Sequence, residues 1–302
     1  MRNRLVSQGI AAALGVWFLG ANGLTAQDLR GVVDIHAHCS PDVMPRSIDG
    51  IELAKLALAR GMRAVVLKNH YEPTVSLAML AGKAAPSLTV FGGIALNRAV
   101  GGINPAAVER MVRVKEGMGK VVWMHTFDAE NQVRVSGEAR PFVSVSRNGR
   151  LLPEVVEVLR LIGAHDLVLA TGHSSPEEVL LLVREAGNQQ VRRIVVTHAM
   201  LSPIRMSLAQ MQEAARLGAM IEFVGNALIG QTRSAEFQDY ADAIRKLGIG
   251  HSILSSDLGQ AGNPLHPDGL LELFAGFREA GLSASEIEQL AKTNPARLLG
   301  LQ

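Results

Sequence analysis

Two histidines spaced i, i+2 close a short apolar run early in the chain and could bind one metal ion together. The run is Val32-Val33-Asp34-Ile35-His36-Ala37-His38. Side chains alternate between the two faces of a β-strand, so this spacing predicts that Asp34, His36 and His38 share one face. Imidazole nitrogen is a common ligand of zinc and related metals. A single His-x-His pair also occurs on ordinary surfaces, so the case for a metal depends on the other histidines.

Most of the nine histidines lie at or just after the end of a predicted strand. The exceptions, His165 and His251, precede strands. The carboxyl ends of barrel strands converge on one mouth, where the chemistry of such folds is built. We therefore predict that one metal site gathers distant residues, with Asp257 also acting as general base for a metal-activated water. The predicted ligands at this stage are His36, His38, His173, His198 and Asp257.

Eight short apolar runs alternate with helical patterns from residue 31 onward, as in parallel α/β folds. Several of the helices begin at a proline signal and end at glycine. Eight βα units predict a (β/α)8 TIM-type barrel, and a doubly wound open sheet is the alternative. The predicted strands are 32–36, 64–68, 89–95, 120–125, 167–172, 193–197, 219–224 and 252–256.

The interval between the fourth and fifth strands, residues 127–152, is longer than the others. It contains an alternating run, 142–146, followed by Arg147-Asn148-Gly149-Arg150. Asn-Gly after such a run predicts a β-hairpin. We expect this hairpin-like insertion to lie above the mouth, either as a lid or as a solvated loop without a role.

An ordered set of motifs resembles the amidohydrolase superfamily of metal-dependent hydrolases, in a branch of uncharacterised function. The motifs are Asp34-Ile35-His36-Ala37-His38, Thr171-Gly172-His173, Val196-Thr197-His198, Ser256-Asp257 and the terminal Asn294-Pro295-Ala296-Arg297-Leu298-Leu299-Gly300-Leu301. The resemblance covers residues 31–302. It implies that His36, His38, His173, His198 and Asp257 bind one or two divalent ions, with zinc as the expected metal.

The fourth strand departs from the superfamily pattern, since His125 stands where binuclear members carry a carboxylated lysine or a glutamate. A lysine instead ends the second strand, as Lys68 in Leu67-Lys68-Asn69-His70. We count Lys68 among the metal ligands, in a carboxylated form that bridges two ions. It could also remain an ammonium group that binds an anionic substrate, or lie on the surface.

Four further residues near these motifs have less definite roles. His70 and His125 are candidate substrate-binding residues, and His125 could equally bind or support the metal. Glu222, in a predicted strand, faces either the lumen or a basic partner. Cys39, the only cysteine, excludes an intramolecular disulfide and is expected to act as a small buried hydrophobe.

The composition and the N-terminal residues indicate which partners and which location to expect for the protein. Aromatic residues make up 4% of the chain, which argues against base-stacking nucleic-acid modules. Arg2 and Arg4 precede an uncharged stretch, 10–24, so residues 1–26 are predicted to be a signal peptide and residues 27–302 the barrel. We expect a periplasmic or secreted protein without a stable membrane span, and homo-oligomerisation stays open.

The function predicted from these features is a metal-dependent hydrolase that cleaves an amide, lactone or ester bond of a small molecule. Two alternatives keep the barrel and its metal. One is a decarboxylase or phosphoesterase, for which Lys68 would anchor an anion. The other is an exported barrel that binds a metal or ligand without catalysis. The loops 40–49, 71–74, 127–150 and 259–267, with Asp42, Arg46 and Arg140, are where substrate contacts are expected.

Overall fold

A computed structural model of the chain describes residues 29–115 and 118–302. The predicted signal peptide, residues 1–26, lies outside these residues. Eight parallel strands form one sheet in which neighbours along the chain are neighbours in space. The strands are β1 (Val33–His38), β2 (Ala64–Lys68), β3 (Thr89–Ala95), β4 (Gly119–Trp123), β5 (Val168–Ala170), β6 (Arg193–Val196), β7 (Met220–Val224) and β8 (Ser252–Ser255). All eight match predicted strands, and most of the strand ends differ from the predicted ends by one or two residues.

The segment after β8 returns to β1 and closes the sheet into a barrel. The amide of Asp257 donates to the carbonyl of His36 at 2.8 Å, and the amide of His38 donates to the carbonyl of Leu258 at 2.9 Å. A doubly wound sheet would reverse its strand order and leave both edges open. The sequential order and this closure confirm the (β/α)8 barrel and exclude the open sheet.

One part of the prediction for β1 is wrong, because Asp34 does not share a face with His36 and His38. The pairing of β1 with β2 shifts between Asp34 and Ala37, which marks a β-bulge. An extra residue in one strand reverses the facing of the residues after it. Asp34 instead accepts hydrogen bonds from the amides of Ser256 at 3.0 Å and His36 at 3.2 Å. It therefore ties the two closing strands together.

Helices cover the outside of the barrel, and several begin at a proline, as the sequence predicts. Capping boxes stabilise three helix N-termini, at Ser175, Ser207 and Ser283. The helices are α1 (Gly50–Ala59), α2 (Val75–Ala84), α3 (Pro105–Val112), α4 (Glu130–Ser136), α5 (Pro153–Ala164), α6 (Pro176–Asn188), α7 (Leu208–Arg216), α8 (Phe237–Leu247), α9 (His266–Glu279), α10 (Ala284–Glu288) and α11 (Asn294–Leu299).

The insertion after β4 contains both the predicted hairpin and an unpredicted helix. Ser146–Arg147 pairs antiparallel with Arg150–Leu151 across a turn at Asn148 and Gly149, both of which have positive φ. The hairpin strand is shorter than the alternating run, 142–146, indicated. Helix α4 precedes it, and Asn131 in its first turn donates to the carbonyls of His173 and Pro203, in the loops after β5 and β6.

Packing inside the barrel decides which end is available for chemistry. Val33, Ile35, Val66 and Trp123 fill the lumen, and α11 packs against this interior cluster. A barrel filled in this way is a core rather than a pore, and only the carboxyl ends of the strands can surround a ligand. Among the described residues, no helix is both long and apolar enough to cross a membrane.

Candidate metal centre

The side chains of His36, His38 and Asp257 converge at the mouth of the barrel. Asp257 Oδ1 lies 3.0 Å from His36 Nε2 and 3.1 Å from His38 Nε2. One donor atom from each of the three residues lies within 4.8 Å of the others. All three side chains are buried. Two imidazole nitrogens and a carboxylate oxygen that converge on one position form a donor set that fits a divalent ion.

Glu222 on β7 orients the first of these histidines. His36 Nδ1 donates to Glu222 Oε1 at 3.1 Å, which leaves Nε2 turned toward Asp257. Glu222 also accepts from Ser255 Oγ at 2.7 Å and from the amide of His198 at 2.9 Å. Burial alone would raise the pKa of Glu222, but its charge interaction and hydrogen bond with His36 lower it overall. A carboxylate on the outer nitrogen of a histidine fixes the tautomer that binds a metal.

Of the two interpretations of Glu222 that the sequence allowed, the structure shows the lumen-facing one. A glutamate among Met220-Ile221-Glu222-Phe223-Val224 is a clear anomaly in an apolar strand, and its side chain is buried. A buried carboxylate needs partners. Its partner is a histidine and not the basic residue that the other interpretation required.

Lys68 lies beside the same three residues, at the end of β2. Its side chain is 1% exposed, and Nζ lies 2.8 Å from His36 Nε2 and 5.5 Å from the centre of the Trp123 ring. Burial lowers the pKa of Lys68 to about 8, against the opposing charges of Asp257 and Glu222. The surface position that the sequence left open is excluded. The amine lies where it could contact a metal.

His173 and His198 bring two more imidazoles to this mouth. Their ring centres are 5.0 Å apart, and the His198 ring stacks on His36 at 6.0 Å. Burial lowers the pKa of His198 to about 4 and that of His173 well below its usual range, so both are neutral. A neutral imidazole is the form that coordinates a metal. His198 Nδ1 has no hydrogen-bond partner among the described residues, whereas His173 Nδ1 donates to Gln132 Oε1 at 2.8 Å.

The two candidate substrate-binding histidines lie in different places. His70 borders the cavity at the mouth, where its ring stacks on that of His38 at 4.7 Å and lies tilted against that of Phe127 at 4.3 Å. Thr126 Oγ1 lies 2.9 Å from its Nδ1. His125 is buried behind the mouth, is not among the residues that line the cavity, and has a pKa that burial lowers to about 3.

Several other polar residues that the sequence brought to the mouth are used structurally. His266 opens α9 and its Nε2 hydrogen-bonds the carbonyl of Leu258 at 2.9 Å. Asp42 and Arg46 form a buried ion pair at 2.6 Å, and Arg140 pairs with Asp128 at 2.9 Å. Cys39 is buried in the outer core, where burial raises the pKa of its thiol to about 12.

A cavity of about 240 Å³ lies over the centre. His38, Lys68, His70, His173, His198 and Asp257 line it, together with six side chains of which none was singled out from the sequence. Those six are Phe127, Gln132, Leu201, Ser202, Asn226 and Gln260. Phe127, Gln132 and Gln260 lie in two of the loops named for substrate contacts, and the other three lie in the loops after β6 and β7. Residues of these types occur in any loop, so nothing local marks them.

Replacing Glu222 by Gln should weaken metal binding by about 10- to 100-fold, the usual effect of losing such a supporting carboxylate. The amide group would place an N–H where Glu222 now accepts from Ser255, His36 or the amide of His198. Competition with a chelator of known affinity measures the change. Glu178→Gln, at the N-terminal cap of α6, is the matched control and should leave the affinity unchanged. Equal affinities of the Glu222→Gln variant and the unmodified protein would contradict the role given to Glu222.

Comparison with known proteins places this barrel among described folds. Residues 31–222 match a family of unknown function, DUF6282. None of the curated proteins compared with the chain matches it. An organophosphorus hydrolase from Deinococcus radiodurans aligns with a TM-score of 0.58 at 17% identity, over 92% of this chain and 94% of that one. A mutant of a PTE-like lactonase from the same organism gives 0.61 at 17% identity, over 92% and 98%.

An amidohydrolase from Pseudomonas aeruginosa also aligns, with a TM-score of 0.58 at 10% identity, over 89% of this chain and 95% of that one. At such identities the likeness establishes a shared fold. The barrel fold that the resemblance to the amidohydrolase superfamily implied is therefore confirmed.

Proposed function

The chain belongs to the DUF6282 family, whose function is unknown, and we propose that it is a metal-dependent hydrolase of a small molecule's amide, lactone or ester bond. The observation that carries the proposal is the contact of one carboxylate oxygen of Asp257 with the Nε2 atoms of both His36 and His38. The buried Glu222 behind His36 supports it, because an ordinary buried histidine does not need a dedicated carboxylate.

His36, His38 and Asp257 would hold one ion, and His173, His198 and Lys68 would complete the set for a second. Zinc suits this mixture of imidazole and carboxylate. Such an ion lowers the pKa of water and polarises a carbonyl group. The names of the structural neighbours, an organophosphorus hydrolase, a lactonase and an amidohydrolase, agree with hydrolysis as the reaction class.

Asp257 is the proposed general base. The neighbouring imidazoles of His36 and His38 hold its pKa well below the usual range, although burial acts in the opposite direction. It is therefore ionised at neutral pH. Its Oδ2 lies 3.4 Å from Asn226 Nδ2, on the side away from the two histidines. A carboxylate held in this way accepts a proton from the attacking water and passes it to the leaving group.

The remaining mouth residues position these groups. His198 and Asp257 have φ values of 26° and 48°, in the left-handed region that residues with side chains seldom adopt. Such strained backbone concentrates at functional sites, where surrounding contacts hold it. Here Glu222 accepts a hydrogen bond from the amide of His198, and the carbonyl of His36 accepts one from the amide of Asp257.

The test is an assay of the purified protein after metal removal and after reloading with zinc. Small lactones, esters and amides should be hydrolysed by the reloaded protein only, in proportion to the zinc bound. Release of phosphate from phosphoesters, or of carbon dioxide from aromatic acids, is measured beside them. Turnover of either in place of the carbonyl compounds would reassign the reaction, and zinc binding without any turnover would favour the binding barrel.

A further inference from the structure

The part of the cavity wall that does not belong to the metal centre or to His70 is uncharged. Two of its side chains are apolar, Phe127 and Leu201, and the polar ones carry amide or hydroxyl groups. An ionised group of a ligand against such a wall would lose its hydration without gaining an opposite charge, which is costly. The polar members are Gln132, Ser202, Asn226 and Gln260.

In the part of the chain that the structure describes, no charged side chain of the nearby loops lines the cavity, apart from the residues of the metal centre, and several of these loop side chains are paired with one another. The side chains of Arg46 and Asp42 are buried together as an ion pair at 2.6 Å. Arg140 binds Asp128 at 2.9 Å and also pairs with Glu138. Among the described residues, Lys68 is the only lysine or arginine that lines the cavity, and its amine contacts His36. A charged group on the substrate would therefore find no partner of opposite charge among these side chains.

The amides of this wall are held in place by other side chains. Asn263 donates to Gln260 Oε1 at 3.1 Å, and Gln260 Nε2 donates to the carbonyl of Asp257 at 2.7 Å. Gln132 accepts from His173 through Oε1, which leaves its amide N–H groups for a ligand. Fixed, neutral donors and acceptors select hydrogen-bonding groups of a ligand by position rather than by charge.

The cavity is also small. Its volume is about 240 Å³. Pockets that hold drug-sized ligands measure about 300–1,000 Å³. Phe127, which contacts the rings of both His70 and His173, narrows this space from its wall.

We infer that the substrate is a compact, uncharged carbonyl compound, such as a small lactone or ester, with hydrogen-bonding groups that meet the amides of the wall. This inference rests on the proposed hydrolase function and narrows it. Compounds that carry a carboxylate or an ammonium group beside the scissile bond should be poorer substrates, as should compounds with long alkyl or aryl substituents.

Charge is tested with matched esters on the zinc-loaded protein. Dimethyl succinate is compared with monomethyl succinate, and methyl butanoate with β-alanine methyl ester. The neutral member of each pair should have a kcat/KM higher by about tenfold or more. Leu201→Lys should then raise the relative kcat/KM for monomethyl succinate by about tenfold, by supplying the missing cation. Leu217→Lys, at an exposed leucine after α7, is the matched control and should change neither ratio.

Size is tested with γ-butyrolactone and γ-decalactone, which differ only in an alkyl chain. The smaller lactone should be preferred by about tenfold or more, since the longer chain has no room. Phe127→Ala should remove most of this preference. Phe142→Ala, an exposed phenylalanine of the same insertion, should preserve it.

The outcomes separate the inference from the function on which it rests. If the charged or the long-chain compounds are hydrolysed as well as their matched partners, the inference is overturned and the hydrolase function stands. If Leu201→Lys and Leu217→Lys behave alike, this wall does not contact the substrate, and the inference is again overturned. If the zinc-loaded protein hydrolyses nothing in the panel, the proposed function fails, and the inference fails with it.

Discussion

Asp257→Asn should lower kcat by about a thousandfold, within the 10²- to 10⁴-fold range typical of a lost general base. The substitution keeps the size of the side chain but removes the charge and one proton acceptor. Since Oδ1 approaches both His36 Nε2 and His38 Nε2, metal affinity should fall as well. Turnover and bound zinc are measured on the same sample, with circular dichroism to confirm the fold.

A matched control separates this effect from the general loss of a carboxylate. Asp268, in the first turn of α9, pairs with Arg60 at 2.6 Å on the outside of the barrel. Asp268→Asn should leave turnover and zinc content within about twofold of the unmodified protein, because exposed ion pairs contribute little. Turnover of the Asp257→Asn protein at the unmodified rate, with full zinc content, would rule out the proposed mechanism.

Lys68→Met should have opposite effects on activity and on stability. If the amine of Lys68 contributes to the metal centre, its loss lowers the zinc bound per chain and reduces kcat/KM by about a hundredfold or more. The metal-free protein, in contrast, should be as stable as the unmodified one or more stable by about 1–3 kcal/mol, because burial of the charged amine outweighs its attraction to Asp257 and Glu222, as its lowered pKa indicates. Elemental analysis and urea unfolding of the metal-free form measure the two effects.

Lys120 provides the control for this substitution. It lies on β4 at the opposite end of the barrel, is partly buried, and donates to the carbonyl of Asp166 at 2.8 Å. Lys120→Met should keep full zinc content and full activity. A Lys68→Met protein with unchanged zinc content would remove Lys68 from the ligand set, and one that is strongly destabilised would show that the lysine supports the fold.

The amino-acid sequence alone was enough to predict the barrel and the gathering of His36, His38, His173, His198 and Asp257 at its mouth. The physical reason is that parallel strands joined by helices can close in few ways, and each way brings the carboxyl ends of the strands together. Residues that end different strands are therefore neighbours whatever the details of packing. Asp257 could be placed beside His36 on this ground, although 221 positions separate them in the chain.

Details that depend on register or on loop packing needed the tertiary structure. The bulge in β1 turns Asp34 away from the histidines, and no local signal in the run 32–38 marks it. His125 and His173 each follow the end of a strand, yet only His173 lines the cavity. One residue of register decides between the two positions, because side chains alternate with a period of two.

What the sequence by itself determined is the barrel and the set of donors at its mouth, since strand order and alternation follow from local pattern and chain connectivity. Only the tertiary structure decided that Glu222 supports His36, that Lys68 is buried beside it, and that Arg46 and Arg140 are paired away from the cavity. Those facts depend on contacts of a few ångströms between segments that are far apart along the chain. Charge pairing and burial at that scale are set by the packed chain as a whole and not by any stretch of it.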